Sequence, residues 1–302
     1  MKSSIILTTT IDWNIYTMKA KNLLWLYEQG ERDFAGADLC GADLRGVILI
    51  GINLRGANLK GADLSRAFLI KSDLSGAQLN WANLNFVKMS EAKLVETDLT
   101  KAKISGAFLV KSLLPRAKLS GAVLSGTNLR RANLWGANLC GAQLERANLR
   151  DTNLMGVNLK WANLPEARLL STKLYGSSLN FANLSRAWLK GLDLAGFNLE
   201  GVNFRQARLS GANLEGANLT GANLTEAQLN RVNLQGADLT GANLGQALLE
   251  DANLTWAVVR RADLSGANMR GATLYGVDLS SVRLSGAIGL EASDQSLYST
   301  AV

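Results

Sequence analysis

The chain has 302 residues, with 32 Lys and Arg against 25 Asp and Glu, and it contains no His. The absence of His excludes Ser-His and Cys-His catalysis, imidazole metal sites and His-based pH switching. A net charge of +7 makes an anionic partner conceivable on electrostatic grounds.

The first residues show no targeting or membrane-spanning signal. The apolar run Ile5 to Leu7 is too short for the apolar centre of a secretory signal peptide. No later stretch contains 18 consecutive apolar residues, which a membrane-spanning helix needs. We therefore expect a frayed N-terminal end, no membrane span and a cytoplasmic location.

A helix is predicted over residues 16–29. Its apolar side chains recur at the spacing of one helical face, and Gly30 is placed to end it. The residues with this spacing are Tyr16, Ala20, Leu23, Leu24 and Tyr27.

A period of five residues then governs the chain. Stepping by five from Leu39 to Leu284 meets 50 positions, all apolar, of which 45 are Leu. Two residues before each of these, 33 of 50 positions hold Ala. A strict period of five fits neither a helix nor a long strand, so we predict a short strand and a corner, repeated as a solenoid.

The number of repeats in each coil can be predicted from the outward positions. With the Leu position called i, we expect i and i−2 to point inward, and i+1 and i+2 to form a corner that Gly eases. At i−1, Asp or Asn fills 3 of 12 positions in the column that starts at Ile48 and advances by twenty. The same residues fill 8 or 9 of the 12 or 13 positions in the other three columns. This modulation favours a coil of four repeats over a coil of three.

The repeat Ala-(Asp/Asn)-Leu-x-x, as in Ala42-Asp43-Leu44 and Ala217-Asn218-Leu219, resembles the pentapeptide repeat family. The resemblance implies an all-β fold, a right-handed four-sided parallel β-solenoid, here of about 12 coils. We divide the chain into an extension with a short capping α-helix (1–36), the solenoid (37–288) and a short polar tail (289–302).

Both ends of a solenoid expose strand edges that need covering. We expect the predicted helix, with Trp13, Trp25 and Phe34, to cap the first coil. At the other end we expect either a small cap folded over the last coil or end-to-end pairing of two chains into a homodimer.

Two departures from the pattern predict local structure. Leu192 and Phe197 fill i−2 positions that are otherwise small, so the coils near 190–205 should widen. Pro115 and Pro165 both lie at i+1, an outward corner where a missing amide hydrogen is tolerated.

Residues that suggest chemistry are few, and we predict no enzyme activity, no metal and no cofactor. Cys40 and Cys140 lie five coils apart, about 24 Å by strand spacing, which is too far for a disulfide. Two lone thiols fit a reducing compartment. Asp43 and Asp63 stack at coil spacing, but hard cations want six or more converging oxygens. Hydrogen bonds from the turning backbone are the expected role of these carboxylates.

The column that starts at Ile48 offers the candidate contacts. Its first coils present an apolar patch that we expect to bind a protein, with self-association as the alternative. The patch consists of Ile48, Ile50, Phe68, Ile70, Phe108 and Val110, interrupted by Lys88 and Ser90.

Further along, the same column and its neighbouring i+1 and i+2 positions present a basic stripe. It is either a contact for an anionic partner or a solvated charged surface. Asp151 is the one acid within it, and the repeats as a whole carry a net charge of +9. The stripe consists of Arg130, Arg131, Arg150, Arg168, Lys190 and Arg208.

We therefore predict a non-enzymatic scaffold for an unidentified protein partner. The alternative is a nucleic-acid-linked protein, either a modulator of a topoisomerase such as DNA gyrase or a polyanion binder. The resemblance implies acidic, dimeric DNA mimics among the family members that bind type II topoisomerases. This chain has the opposite charge and lacks their loop insertions.

Overall fold

The structure is a computed structural model that describes residues 20–290. It begins with the helix α1 (Ala20–Glu28), and the turn that follows contains Gly30 at a φ of +101°. A left-handed backbone at this place favours Gly, because a side chain there would be strained. The predicted helix began at residue 16, and residues 16–19 lie outside the described range. The described part of the chain contains no helix with the length and apolarity that a bilayer crossing requires.

The helix α1 packs against the first coils. Leu23 and Phe34 are fully buried, and Leu24 and Leu26 pack against the same apolar core. The Tyr27 hydroxyl donates a hydrogen bond of 3.0 Å to the carbonyl oxygen of Ile50. Trp25 is 60% exposed, so the expectation that it helps to cover the coil is wrong, and Trp13 lies outside the described residues.

Beyond the helix the backbone pairs through single-residue parallel bridges. The bridged residues are the i−1 positions, the first being Asp33 and the last Ile288, and every bridge joins two residues that are twenty apart, as Asp38 and Asn58 are. The amide of Leu39 donates to the carbonyl of Asn58 at 2.7 Å, and the amide of Asn58 donates to that of Ala37 at 3.0 Å. Twenty residues are four pentapeptides, and the chain winds as a β-helix.

The inward positions form one continuous core. Every i residue from Leu39 to Met269 is at most 4% exposed, which confirms the predicted inward face. Among the described residues, the buried Ser177 Oγ at i−2 has no hydrogen-bond partner. The buried hydroxyls of Ser72 and Thr97 do have partners: Ser72 Oγ donates to the Leu69 carbonyl at 2.6 Å, and Thr97 Oγ1 to the Leu74 carbonyl at 2.8 Å. Their polarity therefore costs little, because buried polar groups are expensive only when unpaired.

The corners are left-handed at i+2. Gly41 has a φ of +65°, and the turn around it closes with a 3.0 Å hydrogen bond from the Ala42 amide to the Leu39 carbonyl. The same conformation occurs at 24 residues other than Gly, such as Arg66 at +60° and Trp81 at +59°. Each such residue costs about 1–2 kcal/mol relative to an ordinary conformation. The stacked core must offset this strain.

The Asp and Asn side chains at i−1 stabilise both the corners and the contacts between successive coils. Asp63 Oδ1 accepts the Ser65 amide at 2.9 Å, as expected for a side chain that supports a turn. Asn can also donate, and Asn183 Nδ2 reaches Asn163 Oδ1 on the preceding coil at 2.7 Å. An Asn side chain therefore donates a hydrogen bond to a neighbouring coil as well as supporting the turn, whereas an Asp side chain only accepts hydrogen bonds.

The bridge ladder is interrupted close to the coils where a local distortion was expected. In the described range, it omits the step from Val258 to Asp278 and the steps from Lys173 to Asp193 and from Ser178 to Asn198. The last two steps lie next to Leu192 and Phe197, whose side chains are larger than the usual Ala. A local shift around these larger side chains agrees with the loss of pairing there.

Candidate interaction surfaces

The Ile48 column, residue 48 and every twentieth residue after it, is bridged without interruption as far as Ile288. Ile48 is 61% exposed, Phe108 47% and Ile50 44%, while Phe68, Ile70 and Val110 are half-buried. Ile48 pairs directly with Phe68, but Phe68 pairs with Lys88, whose Nζ lies 4.5 Å from the Phe68 ring centroid. The apolar patch is therefore two clusters separated by one cation, rather than one unbroken surface.

The basic stripe is not uniform. The Nε atoms of Arg130 and Arg131 lie 3.6 and 3.8 Å from the same Asp151 oxygen, so these two guanidiniums share one counter-charge. Arg150 is half-buried, and Lys190 is exposed. The structure does not gather the six predicted residues into one cluster.

Arg168 and Arg208 instead flank Trp188, which the sequence interpretation missed. Arg208 Cζ lies 3.7 Å from the Trp188 ring centroid, and Arg168 Cζ lies 5.9 Å from it. Within residues 20–290 neither guanidinium forms an ion pair with a carboxylate. Arg168, Trp188 and Arg208 are bridged one after the other in the Ile48 column. An aromatic residue between two Arg, each twenty residues away, is the sequence feature that could have predicted this stack.

A row of alternating charges lies at the adjacent corner. Arg146 Nε lies 2.9 Å from Glu166 Oε2, Arg186 Nε donates to Gln206 Oε1 at 2.8 Å, and Gln206 Nε2 donates to Glu226 Oε2 at 2.6 Å. The hydrogen bond from Arg146 lowers the pKa of Glu166. The Gln206 amide and then Arg205 lower the pKa of Glu226. We call this row, from Arg146 to Glu226, the corner row.

A groove of 690 Å³ runs between the corner row and the Arg168–Trp188–Arg208 stack. Asn148 and Gln228 continue the second wall at either end. The lining carries four Arg and two Glu, so the groove is positively charged.

A second exposed apolar stripe was also missed. Trp135 and Tyr175 are exposed at i+1 two coils apart, with Met155 between them, and Leu113 is exposed beside Pro115 at the start. The stripe lies in a different column from the apolar patch. The sequence feature that could have predicted this stripe is a run of apolar and aromatic residues at i+1, each twenty residues after the last.

The carboxylates of the columns accept hydrogen bonds from neighbouring side chains and backbone amides. A hydrogen bond from Arg45 and then one from its backbone lower the pKa of Asp43 to about 2. Burial raises the pKa of Asp63, but bonds from Ser65 and Asn83 outweigh it and leave that pKa lowered. No cluster of three or more potential metal-ligating side chains occurs among the residues described.

These shifts predict loss of stability in acid. Bonds from the Ser265 hydroxyl and amide also lower the pKa of Asp263. Each of these carboxylates has a lower pKa in the folded protein than its value of about 4 in the unfolded chain. Its contribution to the free energy of unfolding is therefore complete above about pH 4 and is lost as the pH falls through the folded-state pKa. We expect the urea midpoint to fall between neutral pH and about pH 3.

The matched variant is Asp63→Asn with Asp263→Asn, which keeps the turn acceptor but cannot be protonated. It should show a weaker decline of the midpoint in acid than the unmodified protein. An undiminished decline would show that these two carboxylates do not carry the effect.

Comparison with known proteins agrees with the repeat pattern. The family model described as pentapeptide repeats matches repeatedly, over residues 37–76, 77–114, 117–154, 152–191, 188–225, 207–246 and 247–286. No curated protein matches the chain.

Solved structures of repeat proteins are similar to the chain. HetL, a pentapeptide repeat protein involved in heterocyst differentiation regulation in Nostoc sp. strain PCC 7120, is 31% identical over 90% of this chain and 97% of its own, with a TM-score of 0.31. Rfr23 from Cyanothece 51142 is 28% identical over 52% and 98%, with a TM-score of 0.31. QnrB1, a plasmid-mediated fluoroquinolone resistance protein, is 22% identical over 67% and 94%, with a TM-score of 0.35. Because the family model matches most of its length, the chain belongs to the pentapeptide repeat family.

Proposed function

We propose that the protein is a non-enzymatic scaffold that binds a partner protein through the apolar patch of the Ile48 column. The observation that carries this is the exposure of Ile48, Ile50 and Phe108 in and beside a column with few Asp and Asn at i−1, whereas the i−1 positions of the other three columns hold mainly Asp and Asn. Exposed apolar side chains gain free energy when a partner removes them from water. Pentapeptide repeat proteins are in general non-catalytic, which agrees with a binding role.

The frame proposed for this surface is a right-handed, four-sided solenoid of about 12 coils over residues 37–288. Bridges between residues twenty apart support four repeats per coil. The contacts of α1 support a capping role for the extension 1–36, and 289–302 would form the tail. The two free thiols support a reducing compartment such as the cytoplasm.

The C-terminal end is a second proposed contact. Leu274 and Leu284 are half-buried, whereas the i residues up to Met269 are buried. Their remaining exposed area would be covered either by a small cap or by the last coil of a second chain.

The partner can be identified by replacing Ile50 with a photo-crosslinking residue in the native cell. The captured protein is then purified, and its direct affinity is measured for the unmodified chain and for the double variant Ile48→Glu with Phe108→Glu. We expect binding to weaken by at least about tenfold, because two carboxylates would be desolvated at the contact. Thermal stability should be unchanged, since both side chains are exposed.

Val258→Glu with Leu113→Glu is the matched control. Both residues are exposed apolar side chains at i−1 in other columns, and Leu113 belongs to the second stripe. This control should bind as the unmodified chain does. A partner that tolerates the patch variant, or that loses binding with the control, would contradict the proposed contact.

A further inference from the structure

The groove between the corner row and the Arg–Trp–Arg stack has a regular arrangement of charge. Arg146, Arg168, Arg186 and Arg208 lie in four successive coils and alternate between the two walls. With strands about 4.8 Å apart, the four guanidiniums form a zigzag about 14 Å long. The groove thus presents one cation per coil along the axis of the β-helix.

The two walls differ in how far their charge is neutralised. Arg146 and Arg186 are engaged by Glu166 and Gln206 along the corner row. In the part of the chain that the structure describes, Arg168 and Arg208 have no carboxylate partner. Stacking on Trp188 holds the Arg208 guanidinium at 3.7 Å while leaving its N–H edge for other acceptors. The second wall therefore offers uncompensated, oriented donors.

The width of the groove limits what can enter it. Its walls come from residues two apart in sequence, such as Glu166 and Arg168, whose Cα atoms are at most about 7 Å apart. A single chain of phosphates fits this width, whereas a duplex would rest on the rims. Trp188, 42% exposed at the centre, adds an aromatic surface.

From these features we infer that the groove binds a single strand of nucleic acid along its phosphodiester backbone. Guanidiniums bind phosphate oxygens in a bidentate manner, and a basic groove with an aromatic side chain is the usual arrangement for single strands. An acidic peptide could meet the same guanidiniums, but it has no bases to lie on Trp188 or on the Arg planes. The inference is independent of the proposed protein contact, because the patch ends at Val110 and the groove begins at Arg146.

The test measures the fluorescence anisotropy of a labelled oligothymidylate with the full chain over a range of salt concentrations. The unmodified chain should bind at low salt, with a log–log salt slope of roughly −2 to −3 for three or four phosphate contacts. Arg168→Glu with Arg208→Glu should weaken binding by more than about tenfold. Trp188→Leu should weaken it several-fold with a smaller change in the salt slope than the Glu variant shows, because all four guanidiniums remain.

The matched control is Arg260→Glu with Arg261→Glu, two exposed Arg in another column, which changes the net charge by the same amount. It should retain binding within about threefold of the unmodified chain. If either double Glu variant fails to fold, the same Arg residues are replaced by Gln in both variants and the comparison is repeated.

Three results would overturn the inference. The first is the absence of oligothymidylate binding at low salt, and the second is equal weakening by the groove and control variants. The third is displacement of the oligonucleotide by polyglutamate or by duplex DNA as effectively as by unlabelled single strand. Displacement by single strand alone supports it.

Discussion

Replacing Leu249 with Ala is expected to lower the free energy of unfolding by about 2–5 kcal/mol. Leu249 is fully buried in the stack, between Leu229 and Met269 of the neighbouring coils. The substitution removes apolar contacts and leaves a cavity that a one-residue strand between two corners has little freedom to close. Urea unfolding followed by circular dichroism measures the loss, and Trp256 at the next corner provides a local fluorescence probe.

The preceding residue is the control. Leu248 is also Leu, but it lies at i−1 in the Ile48 column and is 40% exposed. Leu248→Ala should cost less than about 1 kcal/mol. Equal costs at the two positions would mean that the inward and outward positions have been assigned wrongly.

Replacing Asn183 with Pro is expected to cost roughly 3 kcal/mol. The Asn183 amide donates to the Ala162 carbonyl at 2.9 Å, and this bond is one step of the ladder between coils. Pro has no N–H, so the ladder loses a bond and the inward Ala162 carbonyl loses its partner. The measurement is again the urea midpoint, with hydrogen exchange to locate the loosened coils.

Two controls separate the backbone from the side chain. Asn183→Val keeps the amide but loses the side-chain hydrogen bonds with Asn163, Asn203 and the Ser185 amide, which Asn183→Pro also loses. It should therefore cost about 1–1.5 kcal/mol less than Asn183→Pro, because the ladder bond is retained. Ser185→Pro places Pro at i+1, one coil after Pro165, where the amide donates to Asn183 Oδ1 instead of to the ladder. Similar losses for Ser185→Pro and Asn183→Pro would contradict the distinction between ladder and corner amides.

The same distinction explains where natural Pro occurs. Pro115 and Pro165 both lie at i+1. In the coil after each of them, the i+1 amide donates to a side chain rather than to the ladder, as the amides of Trp135 and Ser185 do to Asn133 and Asn183. The carbonyls of both Pro residues still accept amides, from Glu96 and Arg146, each at 2.9 Å. The predicted tolerance of these corners for Pro thus has a structural cause.

The inward and outward positions can be assigned from the repeat pattern alone. A Leu at every fifth residue and a small residue two places earlier have one consistent arrangement, because each coil must bury the same side chains against the coils beside it. The pairing of residues twenty apart was also readable, since Asp and Asn recur in columns where they support corners. The local distortion expected from the volume of Leu192 and Phe197 agrees with the missing bridge steps beside them.

The contacts among the outward residues are seen only in the folded chain. Lys88 covers Phe68 and divides the apolar patch, and Asp151 is shared by Arg130 and Arg131. These arrangements depend on the directions in which long side chains extend, either along a column or across to the next one. The repeat does not restrict the outward residues, so it does not specify these directions. The groove beside Trp188 exists for the same reason, because its two walls belong to different columns and converge only when the chain is wound.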